Sequence, residues 1–547
     1  MTSNTLTFMC LMRGDRMNRS PSKRLLDRLD LRRWNEDLEM KMSSGEINNK
    51  MYICCRISGG SAAALGATPW NTRACSTTLA QFWSHTPKAS DDGIKRDAYF
   101  MLLSDDLLKF LEGCVEILRS PKTPDSILQC PPSTLVLLAS HPAALIKLAH
   151  SKIHSFKFSE VPTCWRRLFT DASICQAVHV ARANVKADDD TAPDQSDEGR
   201  DGSIKQELWI QEVVRLLDLA QIIAGAPGRA VMIEEILRAL QDWLEADAEL
   251  PLRKKRKTEI KCFPLQDRNV PRITREIPRL RAPTMADFEK HLPQAQPMVI
   301  EDALSHWPAF QERPWISPSY LLSKTFGGRR LIPVELGRSY TDDGWGQTIM
   351  TFREFMDRYM LSDLVPRQNG EDVDEGLDIA YLAQHDLFTQ IPSLRNDISI
   401  PDYCYTDPPP PAKGTTLSKL PAQPKLEEPL LNAWFGPAGT VSPLHTDPYH
   451  NILCQVVGRK YVRLYSPSET ENLYPRVAEE DEVDMSNTSQ VDVEGCDDVM
   501  EKEFPRFREA KYVETVLAAG QALYVPVGWW HYVRSLDVSF SVSFWWN

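Results

Sequence analysis

Apolar residues recur at helical spacing between about residues 96 and 250. The first such segment ends before Pro121 and contains Leu102, Leu103, Leu107, Leu108, Leu111, Val115 and Leu118. Similar patterns run over residues 135–150, 165–183, 209–223 and 231–244. Three to four apolar positions per two turns are typical of helices that bury one face. The pattern therefore predicts an all-α helical domain at 96–250, interrupted by an acidic loop over 186–204.

The pattern changes after about residue 271. Short apolar runs separated by Pro and Gly replace the helical spacing, namely Met298–Ile300, Leu331–Val334, Ile452–Val457, Tyr461–Tyr465, Leu523–Val525 and Val538–Phe544. Such runs suit an antiparallel double-sheet barrel better than a βαβ fold. We therefore predict an α+β multi-domain chain, with a C-terminal antiparallel double-sheet barrel over residues 271–547.

Polar stretches and strict alternation refine the predicted barrel. Pro408–Pro411 is predicted to be a loop, and Ala478–Glu503 is too acidic to be expected inside. The last strand alternates the apolar residues Val538, Phe540, Val542 and Phe544 with Ser539, Ser541 and Ser543. Its apolar set is expected between the two sheets, whereas the serines face either solvent or a polar pocket. Trp545 and Trp546 are interpreted as core residues.

The ends and linkers carry weaker patterns. Residues 1–95 have few periodic apolar positions, which indicates disorder or a mispredicted gene start. The run Arg253–Lys257 marks a basic linker over 251–270. Such a run is either a solvated linker or a nuclear localisation signal, and we expect a nuclear protein that also occurs in the cytoplasm.

Composition narrows the class of protein. The 547 residues exceed one usual core, and 42% hydrophobic with 25% charged residues are ordinary for a soluble protein. A formal net charge of −12 argues against direct nucleic-acid binding. The 12 cysteines include no Cys-x-x-Cys pair, so reduced thiols in an intracellular compartment are expected. The sequence shows neither a secretory signal nor a membrane-spanning run.

One short motif carries the candidate chemistry. His445 and Asp447 are two residues apart, so on a strand both side chains face the same way. His531 lies in a second apolar run near the C-terminus. Two imidazoles and one carboxylate form the facial triad of non-haem Fe(II) oxygenases, which leaves coordination positions open for a cosubstrate and oxygen.

A predicted hairpin places further polar residues beside this motif. Gly458 is expected to supply the positive φ of a two-residue turn, which would pair Val457 with Lys460. Even spacing then puts Asn451 on the same face as Lys460. A lysine inside a barrel needs an anion. The alternative is an edge lysine that reaches solvent, and the neighbouring triad favours the anion.

Five motifs occur in order after about Arg275: Glu335–Asp342, Tyr381–His385, Asp397–Cys404, Gly458–Pro467 and Ser539–Trp546. They resemble the JmjC oxygenases, which use Fe(II), 2-oxoglutarate and O2. The resemblance implies a JmjC catalytic domain over 271–547, with the double-stranded β-helix (cupin/jelly-roll) fold, preceded by the all-α helical domain. It also implies that His445, Asp447 and His531 bind iron, that the cosubstrate pocket comprises Lys460, Tyr381, Ser442, Asn451, Trp434 and Gln384, and that Glu335 and Tyr340 line the substrate side. A core position for Tyr340 and a surface position for Glu335 remain the alternatives.

The resemblance leaves the substrate open. A protein substrate is expected, such as a histone or another basic nuclear or ribosomal protein. The reaction is either hydroxylation of an arginyl (or other) residue or demethylation of a histone N-methyl-lysine. A non-catalytic cupin-like scaffold is a third alternative. Family members without C-terminal dimerisation helices resemble this chain, so a monomer is expected.

Overall fold

The computed structural model describes residues 93–185, 199–248, 261–263, 270–342, 344–361, 379–411, 417–419, 423–477, 484–495 and 502–547. The chain divides into two compact units, one of long helices and one that contains both β-sheets. The predictions for residues 1–92 and for the basic run at 253–257 lie outside the described residues. Within the described ranges, no helix combines the length and apolarity that crossing a membrane requires.

The helical unit contains the expected helical segments with two differences. Its helices are α1 (Gly93–Arg119), α2 (Pro132–Leu137), α3 (Pro142–Ile153), α4 (Thr163–Val185), α5 (Gly199–Ala224) and α6 (Ala230–Ala248). The single segment predicted over 135–150 is two helices, because Pro142 lacks the N–H that a helix interior needs and instead begins α3. Residues 199–204, expected in the acidic loop, form the first turns of α5.

Helix α4 is the centre of this unit and packs against α1, α3 and α5. Its buried Asp171 accepts hydrogen bonds from Arg167 and Arg229. Burial raises the pKa of Asp171, and the two guanidinium groups oppose that rise. Arg167 also binds Asp125, so a four-residue ionic network links three segments of the unit. Buried charges of this kind are tolerated because each has a hydrogen-bonded partner.

The helical unit should lose stability as the pH falls. His150 and His154 have ring centroids 4.1 Å apart, and burial followed by the neighbouring imidazole lowers the pKa of His150 to about 4. The unfolded chain takes up this proton near pH 6.5, so stability is complete above that pH and declines as the pH falls towards 4. At about pH 5 we expect a loss on the order of 2 kcal/mol.

Urea unfolding of the wild type and a His150→Gln variant, at about pH 7.5 and about pH 5, measures this loss. The glutamine variant should lose less stability on acidification than the wild type. Equal losses in the two proteins would show that the histidine pair is not responsible.

Among the described residues, the second unit contains two sheets and five short α-helices. The strands are β1 (Arg279–Arg281), β2 (Met298–Glu301), β3 (Leu331–Leu336), β4 (Gly346–Thr351), β5 (Ala380–His385), β6 (Leu430–Gly436), β7 (Val441–His445), β8 (His450–Val457), β9 (Arg459–Tyr465), β10 (Tyr512–Ala518), β11 (Ala522–Val525), β12 (Trp530–Ser535) and β13 (Ser539–Trp546). The helices are α7 (Met285–His291), α8 (Pro318–Lys324), α9 (Phe352–Phe355), α10 (Leu387–Gln390) and α11 (Pro392–Arg395).

The two sheets have different sizes. The larger has the order β1-β2-β11-β8-β13-β6-β5-β3-β4, and the smaller has the order β10-β9-β12-β7. Only the β1–β2 pair is parallel among the described strand pairs. The architecture confirms the predicted fold class, a helical region followed by a double sheet.

The apolar face of β13 lies on the outside of the larger sheet. Phe540, Val542 and Phe544 pack with Trp307 and Trp315, which come from the segments that cover this sheet. The expectation that these residues pack between the sheets is therefore wrong. Both faces of β13 are buried, so alternation alone could not tell which face is the interior of the barrel.

The serine face of β13 points between the sheets. Ser543 is opposite Leu453 in the register of β13 and β8, and Leu453 packs with Val462 and Leu464 of the smaller sheet. Ser541 donates a hydrogen bond to Gln455, at 2.7 Å. The polar pocket was one of the two alternatives for these serines, and the structure places them in it.

The chain crosses from one sheet to the other at Gly458. Its φ of +71° is the predicted positive value, but β8 pairs with β11 and β13, whereas β9 pairs with β10 and β12. The predicted hairpin with a Val457–Lys460 pair is therefore wrong. A Cβ atom at Gly458 would lie 2.2 Å from the carbonyl oxygen of Val538. This close approach, as well as the backbone angle, requires glycine at the crossing.

Part of the acidic insertion lies inside the fold. Residues 484–495, called here the edge segment, include Thr488, Ser489 and Val491, whose exposed fractions are 1%, 3% and 3%. The prediction that the whole stretch 478–503 is too polar to be inside is wrong for these residues. Hydrogen bonds satisfy the polar groups of Ser489, so their burial is tolerated. The Pro408–Pro411 run lies outside regular secondary structure, as predicted.

Candidate metal and cosubstrate site

His445 and His531 are neighbours on adjacent strands of the smaller sheet. His445 ends β7, His531 is the second residue of β12, and the two are directly opposite in the antiparallel register. Residues in such a pair place their side chains on the same face. The two imidazole centroids are 4.1 Å apart. The fold therefore brings together two histidines that are 86 positions apart in the sequence.

The backbone orients both rings. Nδ1 of His445 is 2.7 Å from the carbonyl oxygen of Pro443, and Nδ1 of His531 is 3.0 Å from that of Trp529. Carbonyl oxygens only accept hydrogen bonds, so each Nδ1 carries the proton. The Nε2 lone pairs are then free to face a metal. Such a bond from the second ring nitrogen is usual for metal-binding histidines.

Asp447 completes the group just after β7. Its carboxylate oxygens lie 3.7 Å from Nε2 of His445 and 3.4 Å from Nε2 of His531. Burial would raise the pKa of Asp447, but the imidazoles and a hydrogen bond from Asn451 outweigh it and hold that pKa below its usual range. The carboxylate is therefore ionised at neutral pH and available as a ligand.

These three residues fit a metal ion. One ligand atom from each lies within 4.8 Å of the others, and burial lowers the pKa of His445 to about 4. A neutral imidazole is the form that binds a metal. Burial would lower the pKa of His531, but the charge and hydrogen bond of Asp447 outweigh it and raise that pKa. Two imidazole nitrogens and one carboxylate on one side of an ion match the donor set of non-haem Fe(II) sites.

A bulge in β7 brings Ser442 to the same interior. Ser442 is opposite Val533 and His445 is opposite His531, so three steps on β7 match two steps on β12. Without that extra residue, Ser442 and His445 would point to opposite faces. Ser442 instead forms a side-chain hydrogen bond with Tyr381, which belongs to the larger sheet.

Lys460 is buried in the barrel beside Tyr381. Its exposed fraction is 2%, and its Nζ donates a hydrogen bond to the Tyr381 hydroxyl at 3.1 Å. Burial lowers the pKa of Lys460 to about 7. No carboxylate forms a salt bridge with it among the described residues. A buried ammonium group of this kind is costly unless an anion accompanies it.

Asn451 and Trp434 line the barrel from the larger sheet. Asn451 is opposite Val525, which packs between the sheets, so its side chain faces the interior. Its Oδ1 is buried without a hydrogen-bond partner. Nε1 of Trp434 donates to the hydroxyl of Ser543 at 2.9 Å, and its ring centroid is 6.1 Å from that of Tyr381. Asn451 and Lys460 thus share the interior from facing sheets rather than through the predicted hairpin.

Gln384 occupies a bulge in β5. The register between β5 and β6 shifts between Leu382 and His385, and Gln384 has a φ of +44°. A non-glycine residue in this region costs about 1 kcal/mol or more, and such strain is concentrated at functional sites. The role of Gln384 in the pocket stays a prediction.

Glu335 and Tyr340 lie near the metal-binding group. Glu335 is opposite Tyr381 in the register of β3 and β5, so both side chains point to the same face. Burial raises the pKa of Tyr340, and the negative charges of Glu335 and Asp447 raise it further. Both residues are half-buried. The negative charge of Glu335 raises the pKa of both Tyr340 and Tyr381, so Glu335 lies near the pocket.

Sequence reasoning missed two residues at this site. Trp545 is buried, as its interpretation as core requires, but it is opposite Asn451 on the interior face of β13, and its Nε1 has no hydrogen-bond partner. Thr488 lies opposite His445 in an isolated antiparallel bridge. The sequence did contain a sign for Trp545, because it is two residues after Ser543 and therefore lies on the same face of β13 as the serines. The sequence offers none for Thr488, because only the fold brings the edge segment to β7.

Comparison with known proteins agrees with this architecture. Residues 284–547 match the family described as Cupin-like domain. The chain is 35% identical over 442 residues to lysine-specific demethylase 8 of Danio rerio, an alignment that covers 79% of this chain and 92% of that protein. With the double sheet and the His-Asp-His group, these matches show that the chain belongs to the JmjC family of cupin-like 2-oxoglutarate oxygenases.

Two further relatives extend the comparison. The Jumonji C domain-containing protein 5 of Drosophila melanogaster is 34% identical over 405 residues, which cover 74% of this chain and 86% of that protein. Lysine-specific demethylase 8 of Xenopus tropicalis is 47% identical over 273 residues, which cover 50% of this chain and 53% of that protein. The higher identity belongs to the shorter alignment.

Proposed function

We propose that this chain is an Fe(II)- and 2-oxoglutarate-dependent dioxygenase that hydroxylates an arginyl (or other) residue of a protein substrate. The proposal rests on one observation, namely that two kinds of group lie together in the interior of the barrel. One is the His445–Asp447–His531 donor set. The other is Lys460, a buried ammonium group without a carboxylate partner.

His445, Asp447 and His531 would hold the ferrous ion. When bound with 2-oxoglutarate and O2, the iron supplies oxidation of a C–H bond, with succinate and CO2 as the other products. The chain orients the groups around the ion. The carbonyl groups of Pro443 and Trp529 hold the imidazoles in place, and Asn451 holds Asp447.

Lys460 would bind the remote carboxylate of 2-oxoglutarate. Its Nζ has hydrogens to donate beyond the bond to Tyr381, and the Tyr381 phenol is a second group at the same place. An incoming carboxylate would restore the charged form of Lys460, because a nearby opposite charge favours ionisation. Ser442, Asn451, Trp434 and Gln384 are proposed as the other cosubstrate-pocket residues.

The proposed substrate group is a cationic side chain. Glu335 faces the same interior as Tyr381, and Asp447 adds negative charge near Tyr340. A carboxylate that borders the site suits an arginine, whose guanidinium group forms charge-assisted hydrogen bonds. A basic histone or ribosomal protein would supply such residues.

A second candidate function is demethylation of an N-methyl-lysine in a histone. The observation that favours it is the similarity to the relatives from Danio rerio and Xenopus tropicalis, both of which are named lysine-specific demethylase 8. The oxidation chemistry is the same. Hydroxylation of the methyl carbon gives an unstable product that releases formaldehyde.

Incubation of the full chain with Fe(II), 2-oxoglutarate, ascorbate and a peptide library, read by mass spectrometry, distinguishes these functions. Arginine peptides should gain one oxygen atom. Loss of a methyl group with release of formaldehyde would instead support the demethylase. Absence of 2-oxoglutarate turnover in every reaction would contradict both and favour a non-catalytic scaffold.

We also propose that the protein is nuclear and monomeric. The basic run Arg253–Lys257 supports a nuclear location, since short basic runs can act as import signals. A histone or another basic nuclear protein would be available there. The domain bounds 96–250 and 271–547 are likewise proposed, with the helical unit as a separate module.

A further inference from the structure

The edge segment pairs with the outer strand of the smaller sheet through an isolated antiparallel bridge beside the metal-binding group. The amide of Thr446 donates to the carbonyl oxygen of Asn487 at 2.9 Å, and the amide of Ser489 donates to that of Leu444 at 2.8 Å. The Asn487 side chain also donates to the Thr446 carbonyl oxygen. Because β7 is the last strand of this sheet, these bonds cover its open edge where His445 lies.

This pairing sets the direction of the Thr488 side chain. Thr488 and His445 are directly opposite in an antiparallel bridge, so their side chains lie on the same face. Oγ1 of Thr488 is 3.3 Å from the hydroxyl oxygen of Tyr340. Thr488 has an exposed fraction of 1%. Its hydroxyl therefore belongs to the polar lining near the metal-binding group.

The neighbouring Ser489 points the other way and has a different role. Its hydroxyl donates to the carbonyl oxygen of Leu473 and accepts from the amide of Val491. Leu473 belongs to a neighbouring loop and Val491 to the edge segment itself, so these bonds hold the segment in place. Ser489 is as deeply buried as Thr488, with an exposed fraction of 3%. It therefore offers a matched control, one hydroxyl in the same segment on the opposite face.

Ion pairs fix the far part of the edge segment. Asp492 lies 3.5 Å from Arg338, and Glu494 lies 2.9 Å from Arg534. Arg338 is two residues before Tyr340 in the same loop, and Arg534 belongs to the strand that carries His531. The edge segment is thus tied both to the Tyr340 loop and to a metal-ligand strand.

We propose that Thr488 is a positioning residue for the cationic substrate side chain and acts by holding the Tyr340 hydroxyl. A phenol that donates its hydrogen to Thr488 presents its oxygen to the pocket as an acceptor. A guanidinium or ammonium group carries only donors, so it needs such an acceptor. Without the Thr488 hydroxyl, the phenolic hydrogen loses this acceptor. It then turns towards the carboxylates or points at the incoming cation, which it would repel. This inference rests on the proposed function.

The test compares Thr488→Val, Thr488→Ser and Ser489→Ala with the wild type, all as full chains. The probe is the peptide with the highest turnover in the library assay. Valine keeps the shape of threonine and removes only the hydroxyl. We expect Thr488→Val to raise the KM for this peptide roughly fivefold to tenfold, the loss of one hydrogen bond. The kcat and the peptide-independent 2-oxoglutarate turnover should change less than about twofold.

The serine variant should restore the wild-type KM, because it returns the hydroxyl without the methyl group. Ser489→Ala should lower the melting temperature and leave the KM unchanged. An unchanged KM in Thr488→Val, or an equal rise in Ser489→Ala, would overturn the assignment. If the wild type shows no 2-oxoglutarate turnover, the proposed function itself fails, which is a separate result from a wild-type KM in the valine variant.

Discussion

A His445→Ala variant should lose 2-oxoglutarate turnover by roughly a thousandfold or more, because loss of a direct ligand exceeds the 10–100-fold cost of losing a supporting group. Two donors remain at the site, and His531 with Asp447 would then form an ordinary ion pair. The imidazole of His445 is buried beside another histidine, which lowers its pKa to about 4. Its removal should therefore cost the metal-free protein little stability.

Calorimetric titration with Mn(II) or Fe(II) under anaerobic conditions measures the metal affinity, and thermal unfolding measures the stability. His450→Gln is the control, because it removes a nearby buried imidazole that hydrogen-bonds to Tyr524 instead. This variant should bind metal normally and unfold more easily. Wild-type metal binding in His445→Ala would refute the ligand assignment.

Lys460→Met should have two effects of opposite sign. The KM for 2-oxoglutarate should rise by roughly 10–100-fold, since a hydrogen bond to a charged group contributes about 1.5–3 kcal/mol. The free energy of unfolding without cosubstrate should increase by on the order of 2 kcal/mol, because a buried ammonium group without an anion is replaced by an apolar chain of similar length.

Steady-state assays at several 2-oxoglutarate concentrations and urea unfolding measure the two quantities on the same protein. Tyr381→Phe is the matched variant, since it removes the hydroxyl partner of Lys460 and keeps the ammonium group. It should raise the KM less than Lys460→Met and should not stabilise the protein. An unchanged KM in Lys460→Met would remove Lys460 from the cosubstrate site.

The ligand group was predictable because it depends on local geometry. His445 and Asp447 are two residues apart and both belong to the ligand group, as expected without knowledge of strand order, although β7 ends at His445 and Asp447 follows it. The contribution of His531 depended on the sheet register, which the sequence does not contain. His531 was proposed from its place in a second apolar run near the C-terminus, and the resemblance to a family supported that proposal.

The wrong predictions concern features that contacts between distant parts of the chain determine. Gly458 has the turn conformation that the hairpin required, yet a positive φ is equally needed to carry the chain between sheets. Strand β13 is buried on both faces, so its apolar side did not reveal the barrel interior. The edge segment was rejected as too polar because its hydrogen-bond partners come from distant residues.

The cover over β7 also bears on self-association. An uncovered strand end offers unpaired N–H and C=O groups to any other extended chain, which is a common route to aggregation. Residues 487–489 occupy those groups on Leu444 and Thr446. A variant that lacks the edge segment would therefore expose the unpaired edge of β7 beside the metal ligands. We expect this variant to lose activity and also to aggregate.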